Sequence, residues 1–234
     1  MSLRAIYYDT ETTGINIEKD RIIEIAAYDP LNDTRFETLV NPGIPIPEEA
    51  SKIHGISNEQ VNNAPSFFDA YQKFANFCSG NVVLIAHNND NFDAPLLKNE
   101  CLRHSAEVPA WPYIDSLKWA RIYRPDLPKH NLQYLRQVYG LSTDRAHRAL
   151  NDVLVLYSIF DVMIDDLPLD IVLKLIKQES VTSITHMPFG KHQGKILKDV
   201  PKHYVTWLEE QGFFNKPDNA NLKQGFCAAG LILP

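Results

Sequence analysis

Leu3-Arg4-Ala5-Ile6-Tyr7-Tyr8-Asp9-Thr10-Glu11-Thr12-Thr13-Gly14 opens the chain with an apolar, aromatic-rich run that ends in two carboxylates and a glycine. The run predicts a strand. Residues i and i+2 of a strand point to one face, so Asp9 and Glu11 project together. Two like charges held that close are unfavourable unless one is protonated or a cation lies between them. Taken alone, an Asp-x-Glu pair is common by chance and reads as a strand end with two solvated acids. Thr12-Thr13-Gly14 adds a turn, and its glycine permits close approach of backbone to a ligand.

Downstream, Arg21–Tyr28 is nearly all apolar and Arg35–Val40 alternates, with turn chemistry at Thr13-Gly14 and at Asp29-Pro30-Leu31-Asn32-Asp33. The pattern predicts a meander of three strands. Pro42–Pro47 reads as a loop, Ser57 with Glu59 as a short capped helix, and Ser66–Phe77 as a helix with an apolar face. Val82–Ala86 predicts a fully buried strand, followed by helices over Leu96–Leu102, Ser116–Tyr123, Leu132–Tyr139 and Ala149–Met163. Antiparallel strands followed by a strand interleaved with helices indicate a mixed α/β layer fold over residues 1–165. Residues 166–185 read as the helix Leu169–Lys177 and a polar linker. Residues 186–212 form a small basic and aromatic module with a helix over Lys202–Gln211, and 213–234 a tail without periodicity.

The 234 residues are 44% hydrophobic and 22% charged, which excludes wholesale disorder. The longest apolar run, Val153–Phe160, is far short of the ~20 residues that cross a bilayer. Met1-Ser2-Leu3-Arg4 lacks the apolar stretch of a signal peptide, and Cys78, Cys101 and Cys227 are spaced as reduced thiols, so a cytoplasmic protein with no membrane association is expected. The net charge of −6 argues against coating nucleic acid by bulk electrostatics. The charge is uneven: residues 1–165 hold 15 Lys and Arg against 22 Asp and Glu, whereas 166–234 hold 8 against 7.

Two further clusters carry chemistry. His87-Asn88-Asn89-Asp90-Asn91-Phe92-Asp93 follows the buried strand, at the kind of strand end where α/β folds place ligands. Read alone, it is also a polar loop with Asp93 capping the next helix. His147-Arg148-Ala149-Leu150-Asn151-Asp152 leads into the last helix of the domain. Five residues turn ~140° more than one full helical turn, so Asp152 would project from the helix and His147 from the loop before it. A half-exposed His there has a pKa suited to a general base.

These three segments, in order over about residues 3–163, resemble the motifs of the DEDDh 3′→5′ exonucleases. The resemblance implies an RNase H-like core and a metal-dependent 3′→5′ exonuclease acting on DNA 3′ ends, in repair or end processing. Five residues carry over as catalytic: Asp9, Glu11, Asp93, His147 and Asp152. Many family members place the second-motif Asp five positions after its His; here it is six, as in the three-prime repair exonuclease branch, which leaves Asp90 as a rival. The aromatic Phe92 before Asp93 favours Asp93. Hard oxygen ligands suit two Mg²⁺ or Mn²⁺ ions held by Asp9, Glu11, Asp93 and Asp152, with His147 taking a proton from water. The same resemblance points to Thr10, Gly14, Ile15, His54 and Phe92 around the terminal nucleotide. Ile15 would wedge against a base and Phe92 would floor the sugar, while Glu24, a charge inside an apolar strand, reads as structural.

Phe189-Gly190-Lys191-His192-Gln193-Gly194-Lys195 fails the phosphate-loop pattern, with three residues between its glycines and Ile196 after the lysine. It resembles the C-terminal module of exonuclease X-type proteins. Lys191 and Lys195 are expected on phosphate, while Tyr204 and Trp207 read as mostly core. Single-stranded or duplex DNA ends are the expected partners, with RNA still open. A polymerase proofreading subunit and a non-catalytic DNA-end-binding module are the competing functions.

Overall fold

The opening run becomes β1 (Arg4–Thr12), the central strand of a five-stranded sheet. The computed structural model describes residues 3–108, 110–141, 148–179, 185–215 and 219–232, and the chain forms two compact units, Met1–Leu173 and Lys174–Pro234. In the first, β2 (Ile22–Asp29), β3 (Thr34–Leu39), β4 (Val82–Ala86) and β5 (Tyr113–Asp115) join β1 in the order β3-β2-β1-β4-β5. The β1–β2–β3 meander is antiparallel, and β4 and β5 run parallel to β1. The helices of this unit are α1 (Glu48–His54), α2 (Asn58–Asn62), α3 (Phe67–Phe77), α4 (Asp93–Arg103), α5 (Ser116–Tyr123), α6 (Leu132–Val138), α7 (Ala149–Ile164) and α8 (Leu169–Glu179), the last running across the division between units. This is the mixed sheet flanked by helices that the sequence predicts.

Strand parity sets the layers. Every residue of β2 and β4 is buried, as expected of strands covered on both faces. On β1, Ile6 and Tyr8 enter the cluster formed by α3 and α4, with Phe67, Tyr71, Phe74, Leu96 and Leu97. Phe74 is enclosed by the rings of Tyr8, Phe36 and Trp111, and its replacement by Ala would cost about 3–5 kcal/mol. Tyr7 points to the other face, edge-on to Tyr157 and Phe160 of α7 at 5.2 and 6.0 Å. Asp9 and Glu11 continue the parity of Tyr7 and so share the α7 face.

Three elements differ from the sequence reading. α1 follows the predicted loop and has Glu48 and Glu49 in its first turn and Lys52 in its last, a charge order that favours the helix dipole. β5, three residues long, stands at Tyr113–Asp115, where the sequence predicts no strand. In the second unit, α9 (Lys202–Glu210) matches the predicted helix, but the tail adds α10 (Ala220–Ala228), whose Leu222 and Phe226 pack with Met187, Val205, Leu208 and Phe214. Trp207 is not core: 51% of it is exposed. Among the described residues no helix is long and apolar enough to cross a membrane.

Candidate active site

Asp9 and Glu11 of β1 meet Asp152 from the first turn of α7, with one carboxylate oxygen of each within 4.8 Å of the others. Asp152 is buried and the other two are half-buried. Opposite Asp9 on β2 stands Ala26, which leaves room beside the carboxylates, and opposite Glu11 stands Glu24. The register shifts between Glu11 and Thr12, a bulge at the strand end that carries the acids.

Glu24 does more than fill a strand. Fully buried, it accepts from Arg148 at 2.7 Å and from the backbone N–H of Ala149 at 3.2 Å, the first residue of α7. A carboxylate on the sheet therefore anchors the helix that carries Asp152, in the place of a local N-cap. Arg136 of α6, also buried, approaches Asp152 at 3.4 Å. Sequence reading missed both roles. The available signal was the charge itself, since a buried Glu in an apolar strand demands a partner.

The crowding shows in the electrostatics. Burial, then the charges of Asp93, Glu11, Asp152 and Glu24, push the Asp9 carboxyl well above its ordinary range. Glu11 is pushed up to about 8 by burial and by Glu24, Asp152 and Asp93, against the opposing pull of Arg148. Asp93 is pushed up to about 7 by burial, with the Thr10 hydroxyl pulling it down. Raised carboxyl pKa values favour the fold when these groups are protonated, and that contribution is lost as pH rises through about 7–8. The metal-free melting temperature is therefore expected to fall as pH rises from about 5 to about 9, and saturating Mg²⁺ should remove the slope. A flat profile in EDTA would contradict this charge balance.

The second cluster is arranged by a residue outside it. Asp115, buried at the end of β5, accepts from the backbone N–H groups of Asn88 at 3.1 Å, Asp90 at 3.2 Å and Leu117 at 2.9 Å. Asp90 turns outward, 39% exposed and 2.5 Å from Lys118. Asp93 is buried as the first residue of α4 and accepts from the Thr10 hydroxyl at 2.8 Å, so it sits outside the Asp9–Glu11–Asp152 trio but close enough to raise Asp9. His87 bonds Ser116 at 2.8 Å, Tyr8 donates to Asn89, and half-buried Phe92 packs against the α3–α4 cluster.

Around the trio, Ile15 is 90% exposed on the turn after β1. Gly14 is required there for a reason internal to the turn: a Cβ would lie 2.6 Å from the Asp20 carboxylate, which Thr13 and the Asn16 N–H also hold. His54 is buried, with Nδ1 accepting from the Ile56 N–H at 3.0 Å and Nε2 without a hydrogen-bond partner among the described residues. His147 lies outside the described residues. Lys191 and Lys195 are exposed on the second unit.

A family model described as Exonuclease matches residues 6–160. The chain belongs to this exonuclease family. The chain is 38% identical over 162 residues to DNA polymerase III subunit epsilon of Treponema pallidum (strain Nichols), covering 67% of this chain and 74% of that one. It is also 38% identical over 186 residues to the Arabidopsis thaliana exonuclease DPD1, chloroplastic/mitochondrial, covering 72% of this chain and 58% of that one. Among solved structures, exonuclease X in complex with 5′ overhanging duplex DNA superposes with a TM-score of 0.56 at 23% identity, over 70% of this chain and 92% of that one. E. coli exonuclease I in complex with a dA16 oligonucleotide gives 0.61 at 20%, over 74% and 43%. These structural likenesses show the RNase H-like fold. A second model, named for a quorum-sensing-regulated virulence factor, matches residues 177–219.

Proposed function

We propose that this exonuclease is a divalent-metal-dependent 3′→5′ exodeoxyribonuclease. The observation that carries the reading is the trio of carboxylates, desolvated and mutually repelling, facing one point. Such a donor set is hard, anionic and free of sulfur, and it fits Mg²⁺ or Mn²⁺. Asp9, Glu11 and Asp152 would hold the ions, with Asp93 completing the set directly or through water. When bound, a pair of such ions lowers the pKa of water and stabilises a leaving oxygen.

The chain's own residues supply the rest. Arg148 and Glu24 hold α7 in place, and Arg136 steadies Asp152. His147 takes the proton from the attacking water. Ile15, protruding beyond the acids, wedges against the terminal base, Phe92 floors the sugar, and Thr10, Gly14 and His54 line the same pocket. The 3′→5′ direction is supported by the likeness of all three motifs to the DEDDh enzymes, and a DNA substrate by relatives named for DNA polymerase III. A proofreading subunit is the second reading, favoured by the epsilon relative, and its mark would be a stable complex with a polymerase.

Purified protein with 5′-labelled single-stranded DNA, duplex DNA and matched RNA in Mg²⁺ should produce a ladder that shortens from the 3′ end and disappears in EDTA. Shortening from the 5′ end, or a ladder on RNA alone, would overturn the proposal.

A further inference from the structure

The second unit presents an aromatic pair of which Tyr204 is half-buried against its core, as the sequence predicts, and Trp207 is exposed. On α9, Val205 and Leu208 are buried, three residues apart on the face toward Met187 and Phe226. Tyr204 and Trp207 have the same spacing one position earlier, which places them on a second stripe about 100° round the helix. Their rings are stacked, with centroids 5.6 Å apart and planes 30° from parallel. The His192 ring meets Tyr204 edge-on at 4.7 Å. Gly190 lies so close that a Cβ would be 3.0 Å from the Tyr204 hydroxyl, and its φ of +72° is one that glycine adopts without strain. The turn bearing Lys191 is therefore held against the aromatic pair.

The turn beside it carries two lysines. Lys191 adjoins His192 on the turn and the Lys195 N–H donates to the His192 carbonyl at 3.0 Å, so both lysines belong to the turn whose His192 ring meets Tyr204. Among the described residues, neither Lys191 nor Lys195 has a carboxylate within 4.0 Å. Single exposed apolar side chains are ordinary on protein surfaces. A stacked Tyr–Trp pair rimmed by unopposed cations is a different object, with flat π-faces for a base and positive charge for the adjoining phosphates.

We propose that Tyr204 and Trp207, flanked by Lys191 and Lys195, form a stacking platform for an unpaired base of single-stranded DNA. The proposal rests on the nuclease reading for the choice of nucleic acid as the occupant. It adds a second contact with the substrate strand, one that reads the presence of a base and tolerates any sequence.

The test uses the full chain in EDTA, so that no DNA is consumed, and a 15-nucleotide oligothymidylate against an abasic strand of equal length. Wild type is expected to bind the base-bearing strand about tenfold more tightly. Trp207→Ala should lose that preference and Trp207→Phe should restore most of it. The Lys191→Ala/Lys195→Ala variant should keep the preference but flatten the dependence of log K on log salt by about 1.4, from ~0.7 per phosphate contact on a single strand. Equal binding of the two strands by wild type, an undiminished preference in Trp207→Ala, or a Trp207-dependent self-association in sedimentation would each overturn the platform. Hydrolysis of thymidine 5′-monophosphate p-nitrophenyl ester in Mn²⁺ reports on the nuclease reading separately. Ester cleavage without base preference removes the platform alone, and base preference without cleavage removes the nuclease alone.

Discussion

Asp9→Asn is expected to leave no detectable hydrolysis and, in EDTA, to melt at a higher temperature than the wild type. The substitution keeps the shape of the side chain and removes one of three acids that lie within 4.8 Å of each other. In the absence of a cation that acid is a liability, because burial and four neighbouring carboxylates all oppose its ionisation. Relief of even 1 kcal/mol corresponds to about 2–4 °C in a chain of this size. With Mg²⁺ the order should reverse: the wild type gains stability by binding, and the variant gains little. Melting curves with and without metal, beside a 3′-shortening assay, read both halves. Wild-type turnover in Asp9→Asn, or a lower metal-free melting temperature, would remove the acids from their proposed role.

Substitution at neighbouring positions 147 and 148 should have separable effects. His147→Ala is expected to slow turnover by ~10²–10⁴, the usual contribution of a general base, and to flatten the pH profile near neutrality. Arg148→Ala acts through the fold. Its guanidinium is 42% exposed, so inspection of the surface alone would class it as dispensable. Yet it partners Glu24, which is fully buried and lies across the strand from Glu11. Removing Arg148 leaves that carboxylate with the Ala149 N–H and its acidic neighbours. Breaking such a pair costs 3–5 kcal/mol when both partners are buried, and the exposure of Arg148 brings the expected loss to about 3 kcal/mol. Glu24→Gln should cost less, because its carboxamide oxygen still accepts from Ala149 and no buried charge is orphaned. Denaturant titration of the two variants ranks them, and an Arg148→Ala protein as stable as Glu24→Gln would show that Glu24 does not depend on the arginine.

The meander, the buried strand β4 and helix α7 were legible because each is specified by its own apolar pattern, and the acids of the trio because they close such elements. What escaped the sequence depends on partners far away in the chain. β5 is three residues that pair only because β4 supplies a parallel edge. α10 has a weak periodicity, and Leu222 and Phe226 acquire an inside only once Phe214 and Leu208 are in place. Trp207 was misplaced because an aromatic at helical spacing looks the same in sequence whether it packs inward or stacks on a neighbour. Glu24 reads as structural and is so, but the groups that give it its task, Arg148 and the Ala149 N–H, lie 124 and 125 positions away and leave no local mark.

The loop from His87 to Asp93 is held from outside by Asp115, at the end of a different strand. A loop that satisfies its own backbone is committed to one length, since an inserted residue breaks its internal bonds. This loop does so, with the Phe92 N–H on the Asn88 carbonyl at 3.1 Å and the Ala94 N–H on that of Asn89 at 3.1 Å, while Asp115 captures two more N–H groups from outside and Asp90 turns toward Lys118. The six-residue step from His87 to Asp93 is thus fixed from inside and from outside, and an inserted residue should displace Asp93. Anyone transplanting this motif into another scaffold must therefore carry over the acid that ends the short strand, because part of the loop's anchoring lies outside it.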